Sequence, residues 1–233
     1  MGVDNAEAAV GNRRSHDWVR DWRFEGTRIV GSAVVLALSI WATLDPPATW
    51  EVGLFRRINE IPRQGEWLLW PLQQAGMALA VPVGAVILWT VVRDWRPPLA
   101  LVVGGIIFGW GAAKLMKTWV NRGRPGALLE DVSFGFDVPI DGFGFPSGHA
   151  VVALTLAMVF TPYASRWLWW LILLAAGAVC FSRVYMGAHL PLDVLGGAAF
   201  GIIIGSIVNL ASGVRRDRRG HIRRGARGPR VIL

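Results

Sequence analysis

Apolar residues gather into six runs, at about 29–44, 67–92, 99–120, 147–162, 166–186 and 190–213, parted by polar segments. Crossing hydrocarbon takes about 20 helical residues, with allowance for tilt, so the pattern predicts six transmembrane helices. Asp45-Pro46-Pro47 ends the short first run firmly. The long second run holds Pro71 and Pro82, which predict a kink or a shortened membrane part. Between these two runs, Trp50, Val52, Leu54, Phe55, Ile58 and Ile61 alternate with charged residues over 48–61. That is the pattern of an amphipathic helix lying on the membrane surface.

Residues 1–27 are polar and lack the apolar core of a secretory signal, so no cleavage is expected. Within them, Trp18 and Trp22 are spaced i, i+4 among Arg and Asp, which reads as a short interfacial helix or a disordered tail. The expected fold class is all-α: a polytopic membrane bundle of six transmembrane helices with an amphipathic surface helix. It divides into a polar N-terminal segment 1–28, a membrane domain 29–213 and an Arg-rich tail 214–233.

Composition supports a membrane setting. Apolar residues make up 53% of the 233 positions and charged residues only 17%, against about a quarter in soluble domains. Thirteen Trp and 28 Gly suit bilayer interfaces and close helix contacts. Gly197-x3-Gly201-x3-Gly205 and Gly105-x3-Gly109 are small-residue stripes, for which helix packing is the natural explanation. The lone Cys180 excludes an intrachain disulfide.

The net charge of +8 is arranged for topology. Five arginines precede the first run and eight lie between Arg215 and Arg230; Arg93, Arg96 and Arg166 occupy two further turns. Six spans put all of these on one side, as the positive-inside rule requires of cytoplasmic segments. The basic tails can also touch anionic headgroups. No aromatic stacking platform accompanies them, so nucleic acid is not an expected partner. Segments 45–66, 121–146 and 187–189 then lie outside.

Three blocks at the outer helix ends carry chemistry: Lys117-x6-Arg124-Pro125, Pro146-Ser147-Gly148-His149 and Ser182-Arg183-x5-His189-x3-Asp193. Lys117 and Arg124 are cations on the side where topology disfavours them, and Lys114 is the remaining lysine, one turn earlier. Ser147 is a preferred N-cap before an apolar helix whose first N–H groups form an anion site. Gly148 permits close backbone approach, and His149 follows in the first turn. Arg183 can clamp phosphate oxygens bidentately. His189 and Asp193 stand i, i+4 around a helix start marked by Pro191, so the carboxylate can hold Nδ1–H and leave Nε2 as a nucleophile. A His-x3-Asp zinc site is disfavoured, because clustered cations attract an anion and repel a metal. The outer segment 126–145 adds Phe134, Phe136, Phe143 and Phe145, which either anchor and pack the loop or guide a lipid chain.

These blocks resemble the signature of the type 2 phosphatidic acid phosphatase superfamily, which also includes bacterial lipid-diphosphate phosphatases and vanadium haloperoxidases. The resemblance covers about 29–213, and the layout resembles the membrane-embedded branch. It implies that His189 attacks phosphorus to form a phosphohistidine, oriented by Asp193. It implies that His149 protonates the leaving oxygen and later activates water. Lys117, Arg124, Ser147, Gly148 and Arg183 would hold the phosphoryl oxygens, with no metal or cofactor required.

The expected function is hydrolysis of a lipid phosphate or diphosphate at the extracytoplasmic face of a plasma membrane. Candidate substrates are undecaprenyl diphosphate, phosphatidylglycerol phosphate and phosphatidic acid. A phosphotransferase on the same scaffold and a noncatalytic lipid-phosphate binding or transport protein are the rival classes. No partner protein is identifiable from the sequence.

Overall fold

The computed structural model describes residues 18–19, 21–136 and 138–215. The chain runs through α1 (Trp22–Thr43), α2 (Thr49–Asn59), α3 (Glu66–Gln74), α4 (Ala80–Val92) and α5 (Arg96–Val102). A π-helical turn over Val103–Gly111 carries α5 directly into α6 (Ala112–Val120). Then come α7 (Pro125–Leu128), α8 (Gly148–Phe160), α9 (Arg166–Tyr185) and α10 (Pro191–Ser212). Two short strands, β1 (Trp18–Val19) and β2 (Val214–Arg215), pair antiparallel and tie the approach to α1 to the end of α10. Trp18 and Trp22 therefore do not share a helix: Asp21 caps α1 between them, accepting from the Phe24 N–H at 3.1 Å. The basic residues before Trp18 and after Arg215 lie outside the described residues, as do most of the two flanking segments.

Among the described residues, four stretches are long and apolar enough to cross a membrane: Trp22–Thr43, Arg96–Val120, Arg166–Tyr185 and Pro191–Ser212. Ala80–Val92 and Gly148–Tyr163 are apolar but shorter. Val34, Leu38, Trp41, Leu115, Trp119 and Leu174 are all exposed on the outside of the bundle. An apolar belt of this kind is solvated by lipid.

At the centre stands α10, with α1 along one side and α8 along the other. Lipid tails are as apolar as leucine, so helices associate here through close van der Waals fit. The Gly197, Gly201 and Gly205 stripe provides that fit. A Cβ on Gly197 would lie 2.5 Å from the Ser147 carbonyl, and one on Gly205 would lie 2.5 Å from the Met158 Cβ. Val81, Leu88, Leu101, Val151, Val159, Ile204 and Val208 fill the core where α4 and α5 meet α8 and α10.

Two expected elements differ. The apolar run over 67–92 is not one helix: α3 ends at Gln74, and 75–79 form a break before α4. Pro71 stays inside α3; the break falls around Gly76, which is pressed against His149. The surface helix α2 also forms, but its buried stripe is Glu51, Phe55 and Asn59, while Trp50 and Leu54 face outward. Two of these three inward side chains are polar, while Arg56 and Arg57 stay exposed. Asn59 donates to the carbonyls of Ser133 at 2.7 Å and Tyr185 at 3.0 Å and accepts from the Ser133 N–H at 2.9 Å.

Candidate active site

The corner between α9 and α10 follows from local sequence. Gly187 adopts φ +73°, which other residues resist, and a Cβ there would lie 2.7 Å from the Ser133 carbonyl. The Gly187 N–H reaches Val184 O at 3.0 Å and the Ala188 N–H reaches Arg183 O at 3.0 Å, which is a Schellman closure. The Arg183 carbonyl also accepts the His189 N–H at 3.1 Å. Pro191 then opens α10, and Asp193 accepts the Leu190 N–H through Oδ2 at 3.0 Å. The same Oδ2 faces His189 Nδ1 at 3.6 Å.

Ser147 is the N-cap of α8, as its type predicts, yet it makes no side-chain capping bond. Its backbone N–H donates instead to Asp193 O at 2.9 Å, which sets the start of α8 on the start of α10. Its Oγ is buried without a hydrogen-bond partner among the described residues. A buried hydroxyl in that state is expensive unless something else meets it. Gly148 and His149 form the first turn of α8, with their side of the helix half-buried.

Lys117 stands in the last turn of α6 and donates to the carbonyls of Phe143 at 2.9 Å and Gly144 at 3.1 Å. Asn121, at φ +53°, ends that helix and returns the chain towards the site. Arg124 then donates to Ala188 O at 2.9 Å, next to His189. Gly144 is packed on Asp193, 2.7 Å from Oδ2 for a Cβ placed there. Arg183, only 2% exposed, hydrogen-bonds the side-chain carbonyl of Gln73.

The three blocks therefore meet at one place. His189, 2% exposed, feels the charges of Lys117, Arg124 and Arg183 together. Burial first, and those neighbours second, hold its imidazole well below the usual histidine range. It is neutral at physiological pH, with a lone pair available. Lys114 does not share the site: its ammonium is exposed and sits 3.7 Å over the Trp110 ring. Of the four loop phenylalanines, Phe145 is fully buried against Gly196, whereas Phe136 is 70% exposed.

Sequence reasoning missed Gln73, Glu51 and Arg122. Arg122, buried, forms a fork with Glu51, Nη2 to Oε2 at 2.6 Å and Nη1 to Oε1 at 3.2 Å. Its Nη1 also donates to Asp193 Oδ1 at 2.9 Å. Burial opposes the Arg122 charge, but Glu51 and Asp193 outweigh it and hold the guanidinium above its ordinary range. No spacing rule flags Glu51, which lies 71 residues from Arg122 in sequence.

Residues 77–217 match the PAP2 superfamily model. The chain belongs to the PAP2 superfamily. It is 30% identical over 159 residues to YbjG of Escherichia coli strain K12. That match covers 65% of this chain and 77% of YbjG. Among solved PAP2 structures, LpxE of Aquifex aeolicus superposes with a TM-score of 0.61 at 28% identity, covering 67% of this chain and 93% of that one. The transmembrane PAP2-type phosphatidylglycerolphosphate phosphatase of Bacillus subtilis shares the fold, with a TM-score of 0.64 at 21% identity over 78% of this chain and 94% of that one. As a PAP2 protein with apolar bundle helices, the chain is a membrane protein and a hydrolase of the phosphatase class.

Proposed function

We propose that the chain is an integral-membrane lipid phosphatase that works through a phosphohistidine on His189. The observation that carries this reading is the convergence of Lys117, Arg124 and Arg183 on a buried, neutral His189. Phosphoryl transfer needs positioning and charge stabilisation more than new covalent chemistry, and fixed cations supply both. The orphan Ser147 Oγ and the N–H groups of Gly148 and His149 complete an oxyanion cradle at a helix N-terminus.

In the first step His189 Nε2 attacks phosphorus, an N–P bond forms, and the bond from phosphorus to the leaving oxygen breaks. His149 gives its proton to that oxygen. Asp193 holds the Nδ1 hydrogen, closing from 3.6 Å to hydrogen-bond length as the imidazole gains charge. In the second step His149 takes a proton from water, the water oxygen attacks phosphorus, the N–P bond breaks, and phosphate leaves.

The leaving group is the lipid, so its tail departs on the His149 side. A groove of about 440 Å³ opens there, lined by Gln74, Met77, Val83, Ile87, Leu156 and Phe160. Leu156 and Phe160 follow His149 down α8 at helical spacing, and Gly84 forms a floor against both. We therefore assign substrates with a phosphate or diphosphate head and a long apolar tail, entering laterally from the outer leaflet. Undecaprenyl diphosphate, phosphatidylglycerol phosphate and phosphatidic acid fit this description. In this reading α4 and α8 complete six spans over 29–213, both flanking segments are cytoplasmic, and the site is extracytoplasmic.

The test is phosphate release from purified protein across a panel of lipid mono- and diphosphates, with His189→Ala as control. Release is expected for at least one lipid and abolished by the substitution; full turnover by His189→Ala removes the nucleophile assignment. Asp193→Asn is expected to slow formation of the covalent intermediate. His149→Ala is expected to form it still from an ester with a good leaving group.

A further inference from the structure

Asp193 does not stand alone behind His189. Its Oδ1 accepts from Arg122 at 2.9 Å, and Arg122 is forked by Glu51 at 2.6 and 3.2 Å. Glu51 Oε1 also accepts the Leu192 N–H at 3.0 Å, in the first turn of α10. Glu51 and Asp193 are 0% exposed and Arg122 is 5% exposed. A buried ion pair of this sort rarely adds stability over an apolar packing of similar volume, so its presence asks for another reason.

We propose that Glu51 and Arg122 are positioning residues that tune and orient Asp193 for its work on His189. Paired with Arg122 and without Glu51, Asp193 would have its charge largely spent. Glu51 takes the fork and shares that cation, so the trio carries one net negative charge facing the imidazole. Arg122 holds Oδ1, which leaves Oδ2 aimed at Nδ1. The Leu192 contact keeps the register between α2 and α10, so the surface helix fixes the carboxylate from outside the three signature blocks. This inference rests on the assignment of His189 as nucleophile.

The test uses the full-length chain in detergent micelles, with dioctanoyl phosphatidate as the probe. Glu51→Gln is expected to lower kcat about 10- to 100-fold, the range seen when an outer partner of a working side chain is removed, with KM within about 3-fold. In an Asp193→Asn background the same change is expected to cost less than about 2-fold, because its route to the imidazole is already cut. Arg122→Lys keeps the charge without the fork and serves if Glu51→Gln does not fold; its expected signature is the same kcat-selective loss. A loss confined to KM, an unchanged kcat, or an equal loss in the Asp193→Asn background overturns the proposal. His189→Ala is assayed in parallel. If it turns over, the nucleophile reading and this inference fall together; if it is dead while the Glu51→Gln loss is additive, this inference alone falls.

Discussion

Gly76 touches His149: a Cβ built on Gly76 would lie 2.9 Å from the His149 Cβ and 3.0 Å from its carbonyl oxygen. The break in the second apolar run thus ends against the proposed leaving-group acid. Gly76→Val must push that histidine or the start of α8 aside. Displacements near 1 Å can cost about 100-fold in rate, and a loss of that order in kcat is expected on lipid substrates. The loss should shrink on p-nitrophenyl phosphate, whose leaving group needs no proton. Equal losses on both would place the damage elsewhere in the site.

Stability should carry the mark of His189. Its folded pKa lies well below the ordinary value of 6.5, so the unfolded chain binds the proton first as the pH falls. This group therefore contributes stability that is complete above about pH 6.5 and lost as the pH falls towards the folded value. Between pH 7.5 and pH 4, the melting temperature of wild type is expected to fall further than that of His189→Gln, which cannot titrate at this position. Parallel curves would contradict the shift.

The packing of α8 on α10 predicts a different failure. A side chain at Gly201 would run into the Val151 backbone and stand 2.9 Å from the Leu154 Cβ. Gly201→Val is expected to destabilise the bundle by about 1–3 kcal/mol, read as a lowered thermal midpoint in detergent. Gly177, where a Cβ meets nothing within 4 Å, is the matched control. Gly177→Val should leave the midpoint nearly unchanged.

Topology can be read at Ser133, an exposed residue whose backbone is held by Asn59. Ser133→Cys in a Cys180→Ala background should react with a membrane-impermeant maleimide added to intact cells. Protection there, with labelling only after lysis, would reverse the orientation.

Much of the site was legible in the sequence because its parts are local. The Arg183-to-Asp193 block spans one helix end and the next helix start, and Pro146-Ser147-Gly148-His149 is a helix cap, so spacing alone brings their atoms near one another. The convergence of the blocks needed a fold, and the resemblance to a known family supplied it. Glu51 was invisible because a lone carboxylate on an amphipathic helix reads as its wet face; here that face is inside. Arg122 lies between Lys117 and Arg124, in positions the spacing leaves open. The break at 75–79 was hidden because Gln73 and Gln74, the polar pair just before it, are too short an interruption to divide the apolar run. Pro71 and Pro82 drew attention, while Gly76, between them, marks the place.

The closed corner at Gly187 has a mechanical consequence. One carbonyl, that of Arg183, receives the N–H groups of both Ala188 and His189. Arg183 and His189, the proposed clamp and nucleophile, are thereby joined into a single rigid jaw, unable to part without tearing the end of α9. In the proposed reading a bulky headgroup is admitted by the opposing jaw, the segments carrying Gln73 to Gly76 and Phe143 to Pro146. On that reading, the side chains of this opposing jaw set which lipids fit, while the edge carrying His189 stays fixed.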